Sequence, residues 1–375
     1  MVRTSIQGTV VAVLILSVGW VEPAGSAQAE ASATRTVVLR PTPGPSLRIN
    51  FDYNFRNALP RFENEPALDA KKTARGLIPT VPPTPLLRNL SDNLLYLKVD
   101  HGRDFSEGSL VTYKSRYDGH VLFEGLAVST ERESFAIPYT VNLYTYETGC
   151  AGWFLVESGW AGEFDLDGQT WTLGLVDNLD GRIDSNDLLY LRGPGKLMPV
   201  FPAAETLFFG GHTFRLDLAF TSLDSEVVVK AGLTELHPAM GALSVQAEGS
   251  RHLRLRSDRL TALLDEPAGT VSLPVGNYRV EDCILYDDQI RWAGPKFVEY
   301  GRRLSIEAGQ TASMHLGKPL ANTVEVSRDR NLLRLGYQLV GAGGERYSYY
   351  NWRSYPSFQI YKGPLRIGGG TFPFG

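Results

Sequence analysis

After Leu86 the chain is written in short runs where apolar and polar residues alternate, the period of a strand with one buried face. Leu94-Leu95-Tyr96-Leu97-Lys98-Val99, Leu110-Val111-Thr112-Tyr113 and His120-Val121-Leu122-Phe123 have the apolar, β-branched and aromatic content of strands. Tyr117-Asp118-Gly119, between the last two, carries the Asp-Gly signal of a hairpin turn. Residues 139–146 alternate Tyr, Val and Leu with Thr and Asn, and 163–173 read as strand, Asp167-Gly168 turn, strand. Further strands are predicted over 188–191, 213–220, 227–230, 253–256, 296–306, 311–316, 332–339 and 358–361, and on both sides of a Pro-Val-Gly turn in 271–280. Turn signals recur about every ten residues, and no stretch sustains a helical apolar period. The pattern predicts an all-β protein of two or more β-sandwich modules, the first over 86–247 and the rest over 248–375.

Upstream of Leu86 the pattern is lost. Prolines at 41, 43, 45, 60, 66, 79, 82, 83 and 85 remove backbone donors. Residues 30–85 are therefore expected to be a Pro-rich irregular linker, with a short strand over 47–51 and a short helix over 65–75. Residues 1–29 read as an export signal: Arg3, an apolar run over 9–21, then Ala24-Gly25-Ser26-Ala27-Gln28-Ala29, which suits signal peptidase. The apolar run is short for a bilayer-spanning helix. The expectation is an extracytoplasmic protein, periplasmic or secreted, with no membrane span after cleavage.

Charge adds an exclusion. A formal net charge of −4 with both signs interspersed supplies no basic surface for nucleic acid. The two cysteines, Cys150 and Cys283, are compatible with a disulfide in an oxidising compartment and equally with two separate buried thiols.

Candidate ligands concentrate in one stretch, Val176-Asp177-Asn178-Leu179-Asp180-Gly181-Arg182-Ile183-Asp184-Ser185-Asn186-Asp187. Oxygen-bearing side chains surround a glycine that permits a sharp turn, and the carboxylates repel one another unless a cation or water separates them. Such hard oxygen donors favour Ca2+. With Gly181 at the turn, Asn178, Asp180, Asp184 and Asp187 fall at calcium-loop spacing, the Arg182 carbonyl joins them, and Ile183 takes the apolar position. The stretch resembles the calcium loop of dockerin and EF-hand modules, including Leu188-Leu189 after the last acidic residue. It departs from them in two ways. Val176 stands where the first carboxylate belongs, so Asp177 has to serve from a displaced register. The flanks read as strands rather than helices, and a single copy does not imply dockerin-type partner binding. The expectation is a Ca2+ turn between strands, with Asp177, Asn178, Asp180, Arg182, Asp184 and Asp187 as ligands. The competing reading is a solvated acidic turn whose side chains bond nearby amides.

Little else carries chemistry. The histidines at 101, 120, 212, 237, 252 and 315 are scattered singly, with no zinc-type pairing. No Gly-x-Ser-x-Gly elbow is present, and Gly341-Ala342-Gly343-Gly344 lacks the Lys-Ser/Thr of a phosphate loop. Tyr347 to Tyr355 holds five aromatics, which suit either sugar stacking or a packed interface. Ser272-Leu273-Pro274-Val275-Gly276-Asn277-Tyr278-Arg279-Val280 resembles the strand–turn–strand of transthyretin-like and carboxypeptidase-regulatory-like domains. That resemblance implies a small β-sandwich and carries over no catalytic residue. The sequence thus points to an exported, non-catalytic binding or structural protein of the bacterial envelope or secretome, calcium-stabilised, with a glycan or an envelope protein as partner. The alternative is a carbohydrate-binding or carbohydrate-active protein whose acidic site is not visible in the spacing.

Overall fold

The computed structural model describes residues 34–49, 62–66, 73–98, 105, 109–112, 115–117, 120–132, 135–146, 152–193, 200–287, 290–293, 303–330, 332–347 and 357–372. The expected export signal, Cys150 and the aromatic residues 349–355 lie outside them. Strands β1 (Thr34–Ile49), β2 (Thr73–Ile78), β3 (Thr84–Asn89), β4 (Leu94–Leu97) and β5 (Ser109–Thr112) open the chain. They are followed by β6 (Ser115–Tyr117), β7 (His120–Arg132), β8 (Phe135–Tyr146), β9 (Gly152–Leu166), β10 (Gln169–Val176), β11 (Leu188–Arg192) and β12 (Phe201–Pro202). β13 (Thr206–Phe209), β14 (His212–Leu223) and β15 (Glu226–Leu236) complete the first half. Among the described residues there is no α-helix, and the predicted all-β class holds.

Local turn chemistry sets the hairpins. Asp167 and Gly168 take φ of 52° and 72° between β9 and β10, and Asp224 and Ser225 take 50° and 68° between β14 and β15. Two successive positive φ values make the turn whose twist matches paired strands. β6 through β12 pair antiparallel in succession, while β2 to β5 form a separate four-stranded antiparallel sheet. Inward residues of both, among them Phe123, Leu143 and Phe154 from one and Leu86, Leu95 and Leu97 from the other, share one core.

The N-terminal expectations need correction. The strand expected over 47–51 is present in its described part, 47–49, but residues 34–46 are strand too rather than irregular linker: 34–39 pair with β15 and 40–49 with β9. Among the described residues each stretch of β1 is paired along one edge only, the setting in which a strand admits proline, as at Pro41 and Pro43. At the crossing, β9 approaches β1 so closely that a Cβ on Gly162 would lie 2.5 Å from the Val38 carbonyl oxygen. Thr73–Arg75, expected to end a short helix, instead start β2 opposite Asn89 to Leu87.

The second half comprises β16 (Met240–Glu248), β17 (Ser250–Arg256), β18 (Leu260–Asp265), β19 (Gly269–Pro274), β20 (Gly276–Asp287), β21 (Ile290–Ala293), β22 (Arg303–Ile306) and β23 (Thr311–Gly317). β19–β16–β23 form one sheet, and Leu243 and Val245 on it share a core with Leu253, Leu255, Cys283 and Leu285 of β17 and β20. β16 therefore packs with the later strands, in a core that Phe208 of β13 also joins. The two halves share a sheet through the parallel pair β13–β18, Thr206 opposite Leu260. β19 and β20 are not hairpin partners. Their Pro-Val-Gly corner carries the chain from one sheet to the other, and the Tyr278 hydroxyl ties it by donating to the Pro274 carbonyl at 2.8 Å.

Two hairpins end the chain: β24 (Ala321–Asp329) with β25 (Leu332–Val340), which also pairs with β26 (Arg346–Tyr347), and β27 (Ser357–Lys362) with β28 (Leu365–Thr371). No helix among the described residues is long and apolar enough to cross a membrane.

Candidate calcium turn

β10 and β11 pair antiparallel up to Val176 opposite Leu188, so residues 177–187 form the loop that joins two adjacent strands. The flanks are strands, as their composition predicts. Asp177 and Asp187, at the two ends of the loop, are both fully buried. One Asp187 oxygen accepts from the Asn178 amide at 2.9 Å and the other from the Asp184 amide at 2.6 Å. Asp177 Oδ1 accepts from the Leu179 amide at 2.7 Å, the Gly181 amide at 3.3 Å and the Tyr139 hydroxyl at 2.8 Å. Asp177 Oδ2 is buried with no hydrogen-bond partner.

The electrostatics follow from that burial. Loss of water pushes the Asp177 carboxyl up to about 6, although the Tyr139 hydroxyl and the Gly181 amide pull against it. Burial, then the charge of Asp177, pushes Asp187 up to about 7. Two carboxylates that each oppose the other's ionisation are costly in a dry site unless a cation or a proton compensates them.

The other expected ligands behave differently. Asn178 Oδ1 accepts from the Asp180 amide at 3.1 Å, Asp180 Oδ1 from the Arg182 amide at 2.7 Å, and Asp184 Oδ1 from the Asn186 amide at 2.6 Å. These are successive turns in which a side chain caps the amide two residues on. Asn178 and Asp180 are half-buried, whereas Arg182 and Asp184 are exposed. Of the six expected residues, the loop draws Asp177 and Asp187 inward and uses Asn178, Asp180 and Asp184 to shape its backbone. Among the described residues, no three His, Cys, Asp or Glu side chains converge as a ready-made metal site. What the loop does hold is two fully buried carboxylates, with one Asp177 oxygen left without a partner.

Three residues that the spacing does not reveal hold the loop in place. Leu179 is fully buried at a φ of 78°, a conformation that a bulky side chain rarely takes. Its carbonyl accepts from the Thr130 hydroxyl at 2.6 Å, and Thr130 in turn accepts from the Val81 amide at 3.2 Å. Gly181 lies against the same threonine: a Cβ there would sit 2.7 Å from Thr130 Cγ2. Tyr139 is the third, and it had a faint signal. It occupies an inward position of β8, and a buried tyrosine hydroxyl requires a polar partner.

Other candidate residues resolve into structural roles. Gly341 to Gly344 turn around buried Glu345, which accepts from the Gly317 and Gly343 amides and from the Tyr347 hydroxyl. Cys283 is a free thiol buried near Ser250, and burial pushes it up to about 11. His252 is buried with both ring nitrogens unpartnered, and burial pushes it down to about 3. On the outer face of β7, β8 and β9, Tyr144 stacks on Trp153 at 5.2 Å, His120 packs against Trp153 and Tyr146, and Tyr146 is 45% exposed.

No protein-family model, no curated protein and no solved structure matches this chain.

Proposed function

We propose that the chain is a non-catalytic binding or structural protein that works outside the cytoplasm, and that residues 177–187 form a structural calcium turn. The observation that carries the calcium reading is the unpartnered Oδ2 of Asp177, a carboxylate oxygen shut away from water beside a second buried carboxylate. An uncompensated buried acceptor costs about 1–3 kcal/mol, more when charged, and a cation removes that cost. Asp177 and Asp187, the two buried carboxylates, would meet the ion, with backbone carbonyls or water completing its shell, and the ion would supply positive charge and no reaction chemistry. The extracytoplasmic assignment rests on residues 1–29 alone. Calorimetric titration with Ca2+, with thermal melting in calcium and in chelator, tests the turn. Binding with a raised melting temperature supports it, and an unchanged melt leaves an acidic turn.

A second reading, carbohydrate binding, is favoured by the aromatic group on the outer face of β7–β9. Tyr144, Tyr146 and Trp153 offer rings for the apolar face of a pyranose, and the exposed carboxylate of Glu124 lies within electrostatic reach of the Tyr144 hydroxyl. A glycan array probed with the wild type and with Tyr146→Ala decides it. Sugar binding that the variant loses supports this reading, and silence on the array removes it.

A further inference from the structure

Leu179 connects the buried carboxylates to a segment outside their loop. Its amide donates to Asp177 Oδ1 at 2.7 Å, and its carbonyl accepts from the Thr130 hydroxyl at 2.6 Å. Thr130, fully buried near the end of β7, accepts in turn from the Val81 amide at 3.2 Å. The Val81 carbonyl accepts from the Glu131 amide at 2.6 Å. One line of hydrogen bonds thus runs from Asp177 to residues 79–83, the connection between β2 and β3.

Three features make this line sensitive to what Asp177 binds. Asp177 is fully buried, with one oxygen unpartnered, and it shares the loop with buried Asp187. Leu179 stands at a φ of 78°, a conformation that leucine keeps only where its surroundings impose it. Val81 is 48% exposed, so its backbone bonds to Thr130 and Glu131 anchor it more than side-chain packing does. Thr80 beside it is buried, and its hydroxyl bonds locally, to Ile78, Pro82 and Thr84.

We propose that the acidic turn is a calcium-operated latch on the connection between β2 and β3. Leu179 is the two-state element, and Thr130 is the positioning residue that passes its state on. This rests on the calcium reading of residues 177–187. With the ion in place, Asp177 holds Leu179 at positive φ. The Leu179 carbonyl then takes the Thr130 proton, and the hydroxyl presents a lone pair to the Val81 amide. Without the ion, the two buried carboxylates repel each other, and the loop relieves them by moving apart. Leu179 leaves positive φ, its carbonyl turns away from Thr130, and the Val81 amide loses its oriented acceptor. Calcium in the medium thereby sets how often residues 79–83 open.

Hydrogen exchange of the full chain, read by mass spectrometry with and without chelator, tests the latch, with calorimetric titration of Ca2+ on the same sample. The segments compared are 177–187, 77–87 and the corner 271–280, which belongs to the other core. At free calcium about 100 times its dissociation constant, an opening that must release the ion becomes about 100-fold rarer. Exchange over 177–187 and 77–87 is therefore expected to slow by up to ~100-fold, with 271–280 unchanged. Thr130→Val, which keeps the shape and removes the hydroxyl, is expected to confine the slowing to 177–187. Thr130→Ser is expected to restore it over 77–87. Calorimetric binding without slowing over 77–87 overturns the latch and leaves the calcium turn standing. So does equal slowing over 271–280, which is global stabilisation, and so does a folded Thr130→Val protein that still slows over 77–87. The wild-type comparison decides by itself should Thr130→Val not fold. A titration without heat, and with no calcium effect on exchange, removes the calcium turn and the latch with it.

Discussion

The Tyr139 hydroxyl donates to Asp177 Oδ1 at 2.8 Å, which ties the loop between β10 and β11 to the inner face of β8. Burial, then the charge and the hydrogen bond of Asp177, hold this phenol well above its usual pKa, so it remains a donor throughout the physiological range. Replacing it tests the tie without changing the loop. Tyr139→Phe leaves Asp177 with its two backbone donors and is expected to destabilise the fold by about 1–3 kcal/mol. Urea unfolding of the variant against wild type measures this. A difference below ~0.5 kcal/mol would mean that the bond contributes nothing.

Asp177→Asn separates the two readings of the loop. The amide keeps an oxygen for Leu179, Gly181 and Tyr139 and replaces the unpartnered oxygen with nitrogen. In chelator the variant is expected to lie within about 1 kcal/mol of wild type, since loss of a buried charge offsets one unpaired donor. In calcium the two should diverge. Wild type gains about 2.7 kcal/mol at free calcium 100 times its dissociation constant, and the variant gains none. Equal responses of both proteins to calcium would take Asp177 out of the ligand set.

His212 provides a pH dependence at the other end of β10. Its ring nitrogens lie 2.8 Å from Asp167 Oδ2 and 2.7 Å from Glu235 Oε1. Partial burial pulls the imidazole down, but the bonds to Glu235 and Asp167 outweigh it, and the folded value is raised above 6.5. A raised histidine contributes stability that is fully present below the unfolded value and is lost as pH climbs through the folded one. Stability is therefore expected to fall as pH rises from 6.5 through that raised value, and His212→Gln should flatten the profile. Denaturant midpoints taken at a series of pH values check it. An unchanged slope in the variant would assign the effect elsewhere.

The corner between β19 and β20 is testable in the same way. Tyr278→Phe removes the 2.8 Å bond to the Pro274 carbonyl while keeping the ring in the second core. The expected loss is about 0.5–1.5 kcal/mol, read from chemical denaturation, with no change in any calcium response. A loss that depends on calcium would couple the two halves of the molecule.

Much of the strand content was legible because period-two alternation and turn residues act locally. Asp167-Gly168 marks its hairpin in the sequence, and two positive φ values realise it. Of β1 only 47–49 was legible, inside the strand expected over 47–51; residues 34–46 were not, since proline propensity argues against a strand and only pairing with β9 and β15 admits Pro41 and Pro43. The acidic loop was visible from Asp177 to Asp187, but Thr130 and Tyr139 were not. They come from β7 and β8, and sequence spacing holds no record of which strands lie beneath a loop.

The sequence by itself determined the all-β class, the hairpin turns and a cluster of carboxylates between two strands, because each depends on neighbours a few residues apart. Tertiary structure decided which carboxylates lose their water. Packing on β7 and β8 buries Asp177 and Asp187 and leaves one oxygen unpaired, while Asp184 stays in solvent. Desolvation depends on what packs overhead, and here that cover comes from strands some forty residues away, as Tyr139 and Asp177 are.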